Sequence, residues 1–203
     1  MLKTFLPLVC LTLPSSCPSA FGGNLAVEGG TASFVVNTTV PALSVKGKSS
    51  ALRARARIQH SSDGLQLEDI QATLPVKSIV TGMSLRDEHM RRYIFTTSDG
   101  KIPDLQFEAA RSTCSATAGK SNETICQIQG TLAIRGVARP FSIPLKVRED
   151  GSAFRAAGDS AVKLSDYGIE QPSQFGVKTL NEIQLHIEFA GKEGEETAAG
   201  GHR

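Results

Sequence analysis

The chain has 203 residues, enough for one domain with a sizeable core. Its 22 Lys and Arg against 20 Asp and Glu leave a formal charge of +2, so no strong overall field points to nucleic acid or to an anionic membrane. Aromatic residues are 5 % of the chain and Trp is absent, which speaks against a stacking platform for bases and against a Trp-lined sugar site.

Residues 1–20 carry Lys3, an apolar run Phe5–Leu13 and a small-residue end at Ser19-Ala20, the pattern of a secretory leader. That run is too short to span a bilayer, and no later stretch is long enough either. Cys17 after Ser15-Ser16 suggests a lipidation site, but Pro14 stands where such a site needs an aliphatic residue. The expected organisation is therefore a leader over 1–20, one domain over 21–190 and a disordered tail over 191–203, with the mature chain in the periplasm or secreted. Export gives the cysteines their meaning. Cys10 and Cys17 leave with the leader, and Cys114 and Cys126 remain as a pair expected to form one disulfide. The eleven residues between them, Ser115–Ile125, read as a hairpin loop whose base the bond closes. Two thiols with no neighbouring His are too few for a metal site.

In chain order, Phe21–Gly30 reads as a Gly-rich lead-in and Thr31–Thr39 as a strand. Leu43–Gly47 resumes an extended path after Pro41. Ala51–Ile58 alternates cleanly: Leu52, Ala54, Ala56 and Ile58 share one face, and Arg53, Arg55 and Arg57 the other. The arginines fit a solvated outer face or an anion patch. Small inward residues such as Ala54, Ala56, Ala156 and Gly158 leave room inside a closed sheet. Ser62-Asp63-Gly64 is a turn, and the strand Leu65–Val76 changes face near Glu68-Asp69, which predicts a bulge.

The segment Thr81–Phe107 interrupts this ladder. Ser84 with Asp87 three residues on predicts an N-capped helix over Leu85–Tyr93, with Leu85 and His89 on one side and Met90 and Ile94 nearby. Asp104–Ala110 is a strand with Leu105, Phe107 and Ala109 on one face. Cys126–Ile134 follows, with Leu132 and Ile134 inward, and then Arg139–Val147 with Phe141, Ile143, Leu145 and Val147 inward. Ser152–Leu164 turns Phe154 and Ala156 inward, Ser165–Lys178 is a long polar connection, and Asn181–Phe189 closes the ladder with Ile183, Leu185, Ile187 and Phe189 inward. About eight antiparallel strands with hairpin connections and one short helix make an all-β domain, either a barrel with room for one ligand or a filled sandwich.

Asp87-Glu88-His89 is the one tight cluster of acid and imidazole, and it has no nucleophile at a useful spacing. Residues two apart on a helix do not face each other, so Asp87 and His89 do not make a metal pair. No Gly-rich phosphate loop, G-x-S-x-G elbow or pair of helical carboxylates is present, and no enzyme is expected. The inward face is almost wholly apolar, which suits core packing or an apolar ligand.

The motif TGMSLRDEHMR at 81–91, followed by Phe95, Pro103 and Phe107, resembles the signature of the YceI-like family. GTLAIRGVARP at 130–140, FSIPL after it, KLSDYGI at 163–169 and NEIQLHIEF at 181–189 resemble that family too, so the likeness runs from about Gly29 to Gly191. It implies a lipocalin-like extended antiparallel β-barrel that binds a polyisoprenoid or isoprenoid-quinone chain without catalysis. Under it, the ligand-facing set is Phe34, Leu52, Ala54, Ala56, Ile58, Phe95, Phe107, Leu132, Ile134, Phe141, Ile143, Phe154, Ile183 and Leu185. The Arg86, Asp87 and His89 turn would sit near one barrel end. No cofactor is implied beyond a bound isoprenoid or isoprenoid quinone; the expected partner is an apolar or amphipathic small molecule, not nucleic acid, and a homodimer stays open. The alternative is a structural or protein-interaction β module with a packed core. Two departures stand out: NTTVPALSVKGKS at 37–49 reads as an abbreviated first hairpin, and the Cys114–Cys126 excursion as an insertion.

Overall fold

The computed structural model describes residues 21–61, 64–117, 119 and 122–195. The expected leader with Cys10 and Cys17, the turn residues Ser62 and Asp63, and His202 lie outside the described residues, as does the tail beyond Glu195. Nine strands are described: β1 Phe21–Thr38, β2 Ser44–Ser61, β3 Gly64–Leu74, β4 Leu105–Ala116, β5 Glu123–Ile134, β6 Val137–Asp150, β7 Ala153–Lys163, β8 Ser173–Gln174 and β9 Val177–Glu195. Each of β1 to β6 pairs antiparallel with the next, β7 pairs with β9, and β9 returns to β1. That last pairing decides for the barrel against the sandwich: the sheet has no free edge. β8 is a two-residue ladder on β9 outside the ring, so the barrel has eight strands.

The barrel is long for its strand number. β1 and β2 have 18 residues each and β9 has 19, so each runs roughly 60 Å along its own axis. Here the structure corrects three expectations. The Gly-rich stretch Phe21–Gly30 is strand, paired from Phe21 opposite His60 onward. The first hairpin is not abbreviated, because β1 and β2 stay paired to Asn37 opposite Ser44. β9 runs from Val177 to Glu195, past both ends of the expected strand Asn181–Phe189. Bulges lie in β1 around Gly30 and in β3, where Asp69 takes φ 49 and the register slips between Arg55 and Arg57. The β3 bulge is the one expected from the change of face, and such kinks let long strands curl into a closed ring.

Arg53, Arg55 and Arg57 point outward and are all engaged. Arg53 meets Glu28 at 3.4 Å, Arg55 donates to Gln71, and Arg57 meets Asp69 at 2.5 Å. They form part of a charged outer ladder with Glu68 and Arg111. An outer wall of this kind is the reverse of the apolar band by which a transmembrane barrel faces lipid. Among the described residues no helix is long and apolar enough to cross a membrane.

The strand directions give the barrel two unlike ends. One carries the β2–β3, β4–β5 and β6–β7 turns. Cys114 and Cys126 face each other across β4 and β5 there, with Cα atoms 4.0 Å apart and their sulfurs bonded. The other end carries the β1–β2 turn, the excursion 75–104, the 3-10 turn Leu164–Tyr167 and β8.

Within the excursion, helix α1 covers Ser84–Met90 and passes into a π-type turn over Arg91–Phe95. The expected cap is corrected. Met83 occupies the N-cap position, and no side chain caps the helix. The Asp87 carboxylate instead reaches back to accept from the Thr81 backbone N–H at 2.8 Å and from its hydroxyl. Of the four residues grouped on the helix, Met90 is buried while Leu85 stands in solvent.

Candidate ligand-binding cavity

The inward side chains do not fill the barrel. They enclose a cavity of about 1010 Å³ that runs between the two ends. All fourteen positions of the ligand-facing set that the resemblance implied line it, contributed by β1, β2, β4, β5, β6, β7, β9 and the π-type turn. Edge-to-face pairs stiffen the wall: Phe107 and Phe141 have ring centres 5.9 Å apart, and Phe154 and Phe189 6.3 Å. Ala54 lies beside Val27 on β1 and Ala72 on β3, so the wall is recessed there.

Gly158 does not contribute the space expected of it. It is absent from the lining, and a Cβ placed on it would come within 2.3 Å of the Pro144 carbonyl oxygen and 2.7 Å of Leu145 Cδ2. Its missing side chain lets β6 lean across β7, and Leu145 covers it.

Titratable groups reach the cavity near its ends or from outward positions. Arg86 and His89 stand at the helix-bearing end, and His60, Glu149 and Glu193 at the other. Arg55 and Lys163 border it from the outward faces of β2 and β7. His60 Nε2 lies 3.3 Å from Glu193 Oε1. Asp87 does not line the cavity; it is buried and bonded to Thr81, which does. Arg86 grips the same residue, donating through Nε to the Thr81 hydroxyl at 2.8 Å and through Nη2 to its carbonyl at 2.5 Å. The acid and the base of the motif thus clasp one threonine, and His89 is left against the Tyr93 ring with centres 5.7 Å apart. His186 pairs outside the barrel with Asp159 at 2.8 Å. Among the described residues no group of three or more His, Cys, Asp or Glu could hold a metal.

The cavity's end wall under β8 is built from Leu164, Tyr167 and Ile169, packed with Ile134 and with Ile94, Phe95 and Leu105. Burial pushes the Tyr167 phenol above its ordinary pKa, and the neighbouring Asp166 pushes it further against the opposing pull of Arg139. Sequence reasoning quoted KLSDYGI without giving Tyr167 a place; its position between Leu164 and Ile169 was the available signal. Phe175 and Met83 at the cavity mouth lie in polar stretches without strand or helix period, and Tyr93 ends the expected helix with no partner there to mark it as lining.

Residues 24–190 match the family model described as the YceI-like domain. A UPF0312 protein of Pseudomonas paraeruginosa is 30 % identical over 109 residues, which are 51 % of this chain and 53 % of that protein. The chain thus spans about half the length of the curated relatives it matches. Among solved structures, Burkholderia cenocepacia BcnA superposes with a TM-score of 0.58 at 17 % identity, covering 79 % of this chain and 95 % of that one. A polyisoprenoid binding domain from Saccharophagus degradans superposes with a TM-score of 0.59 at 15 % identity, covering 86 % and 99 %. At these identities the two structures speak for the fold.

Proposed function

The chain belongs to the YceI-like domain family, and from that premise we propose that it binds an isoprenoid or similar amphipathic lipid inside the barrel, unchanged, for storage, transport or protection. One observation carries the reading: a cavity of about 1010 Å³ between two barrel ends, to which each of the eight strands of the ring contributes apolar inward side chains. Each methylene moved from water into such a wall contributes about 0.8 kcal/mol. Ten of them give about 8 kcal/mol before the costs of association, enough to hold a chain with no charged anchor along its length. A polar head would be met at an end, where Arg86 and His89 or His60 and Glu193 are available. The Saccharophagus degradans domain is by its description a polyisoprenoid binder, and its likeness in fold supports the same ligand class here. The Cys114–Cys126 bond suits an oxidising compartment and supports placing the protein in the periplasm or outside the cell. The packed-core alternative requires an interior without such a space, so the cavity weighs against it.

The test is organic extraction of protein purified from its native envelope, followed by mass spectrometry, with uptake by the delipidated protein measured in parallel. The expected result is a polyprenyl chain or isoprenoid quinone in the extract and saturable uptake of the same class. Delipidated protein that takes up neither would overturn the proposal.

A further inference from the structure

Among the described residues, the large apolar side chains left in solvent gather at one end of the barrel. Nine are exposed among the described residues, and all but Ile125 belong to the helix-bearing end. Leu43, Met83, Tyr93 and Phe175 are both exposed and part of the cavity lining, so this apolar rim is continuous with the interior.

Phe175 is the most telling of them. Ser173 pairs with Lys178 and Gln174 with Val177, which leaves Phe175-Gly176 as a two-residue turn with φ of 52° and 80°. Two positive φ values in succession call for Asn-Gly or Gly-Gly; a bulky ring is disfavoured at the first place. The ring packs on nothing, being 97 % exposed. Folding therefore loses by having Phe here, both in backbone conformation and in apolar surface left in water. A residue that violates local preference without a packing return points to a use outside the fold.

The rim also carries cations. Arg92 stacks on the Tyr93 ring at 5.6 Å, Lys178 flanks the Phe175 turn, and neither makes an ion pair among the described residues. Apolar tips interleaved with free cations match an interface of acyl chains beneath anionic headgroups. The same tips stand on three separate turns, divided by polar residues. A second copy of the chain would need a flat, complementary patch with a dry centre; a fluid interface accepts an irregular set.

We propose that the helix-bearing end docks on a lipid bilayer, with Phe175 and Met83 entering the interface and Arg92 and Lys178 on the headgroups. The docking rests on the exposed rim alone. That cargo passes between bilayer and cavity at this mouth rests in addition on the lipid-binding reading above.

The two are separated by experiment. Co-sedimentation of the full chain with phosphatidylethanolamine–phosphatidylglycerol vesicles reads docking without any cargo. Binding should occur, weaken with salt, and fall about tenfold or more in Phe175→Asn. Because Asn suits a positive φ, that variant should melt at the wild-type temperature or higher. Ile125→Ser, at the far end, should bind as wild type. Uptake of an apolar fluorescent probe in vesicle-free buffer reads the cavity, and equal uptake by wild type and Leu85→Ser, whose residue stands on the exposed rim outside the cavity lining, with vesicle binding weakened supports the proposal. Wild type that stays in the supernatant, Phe175→Asn that binds undiminished, or Phe175→Asn that melts lower would each overturn it. So would a wild-type dimer in light scattering that the substitution dissolves while vesicle binding persists. Probe uptake failing in both proteins while docking holds would count against the cargo reading only.

Discussion

Thr81 shows how a charged motif can serve structure while looking like chemistry. Asp87 accepts from its N–H and hydroxyl, and Arg86 donates to its hydroxyl and carbonyl. Acid and base thus satisfy one backbone unit at the point where the chain leaves its bridge with Lys48 and turns into α1. Neither is free to act on a substrate as a matched pair. Tyr167 offers a sharper test at this scale. Its phenol pKa is raised above the ordinary 10.0 by burial first and by Asp166 second. The folded chain therefore keeps the phenolic proton to higher pH than the unfolded chain does. The resulting stability is fully present below the unfolded value and is lost as pH rises through the folded one. Urea unfolding followed between about pH 8 and 11 should show stability level at first and falling in the upper part of the range. In Tyr167→Phe that fall should shrink, and a fall of unchanged size would assign it to other groups.

Among the elements, the β4–β5 hairpin carries a constraint that its neighbours lack. Cys114 and Cys126 sit opposite each other in register, twelve positions apart in sequence, and both are buried. Closing a loop of that length restricts the unfolded chain by about 3 kcal/mol on the entropic account. For a domain of this size that corresponds to a melting point lower by roughly 6–12 °C once the bond is gone. Cys114→Ala with Cys126→Ala should show such a drop while the far-UV spectrum keeps its β signature, since the ring closes through β1 and β9. Unreduced wild type should titrate no free thiol among these two. The expected loop Ser115–Ile125 of this hairpin is corrected: Ser115 and Ala116 belong to β4 and pair with Ile125 and Thr124 of β5, so the ladder runs on past the disulfide. Ala51–Ile58 and Arg139–Val147 were legible because inward apolar residues alternate with outward ones without a break. The first half of β1 was not. Gly23 and Gly30 look like loop residues, yet a Cβ on Gly30 would lie 2.7 Å from Phe189 Cβ and one on Gly23 would meet Glu193. They are glycines because β9 packs against β1 where the barrel closes, and a closure between the first and last strands is not written in either strand alone.

For the whole molecule, alternation told which side chains face inward but not how much space they leave. Volume depends on which of them meet across the barrel. Gly158 and Ala54 looked alike as small inward residues. One is covered by Leu145, and the other stands beside Ala72 and Val27 at a recess of the cavity wall. The difference yields a direct test of the hollow interior. Ala54→Phe adds a ring at that recess. If the space is there, the ring is accommodated and gains apolar burial, so the melting temperature should hold or rise. Uptake of a polyprenyl or quinone ligand should meanwhile drop at least about tenfold, because the ring takes volume the chain needs. In a filled core the same substitution would overpack and destabilise by about 1–3 kcal/mol. The two readings thus give opposite signs in one thermal melt, before any ligand is added. A variant that melts well below wild type would mean that the eight strands close around a packed core.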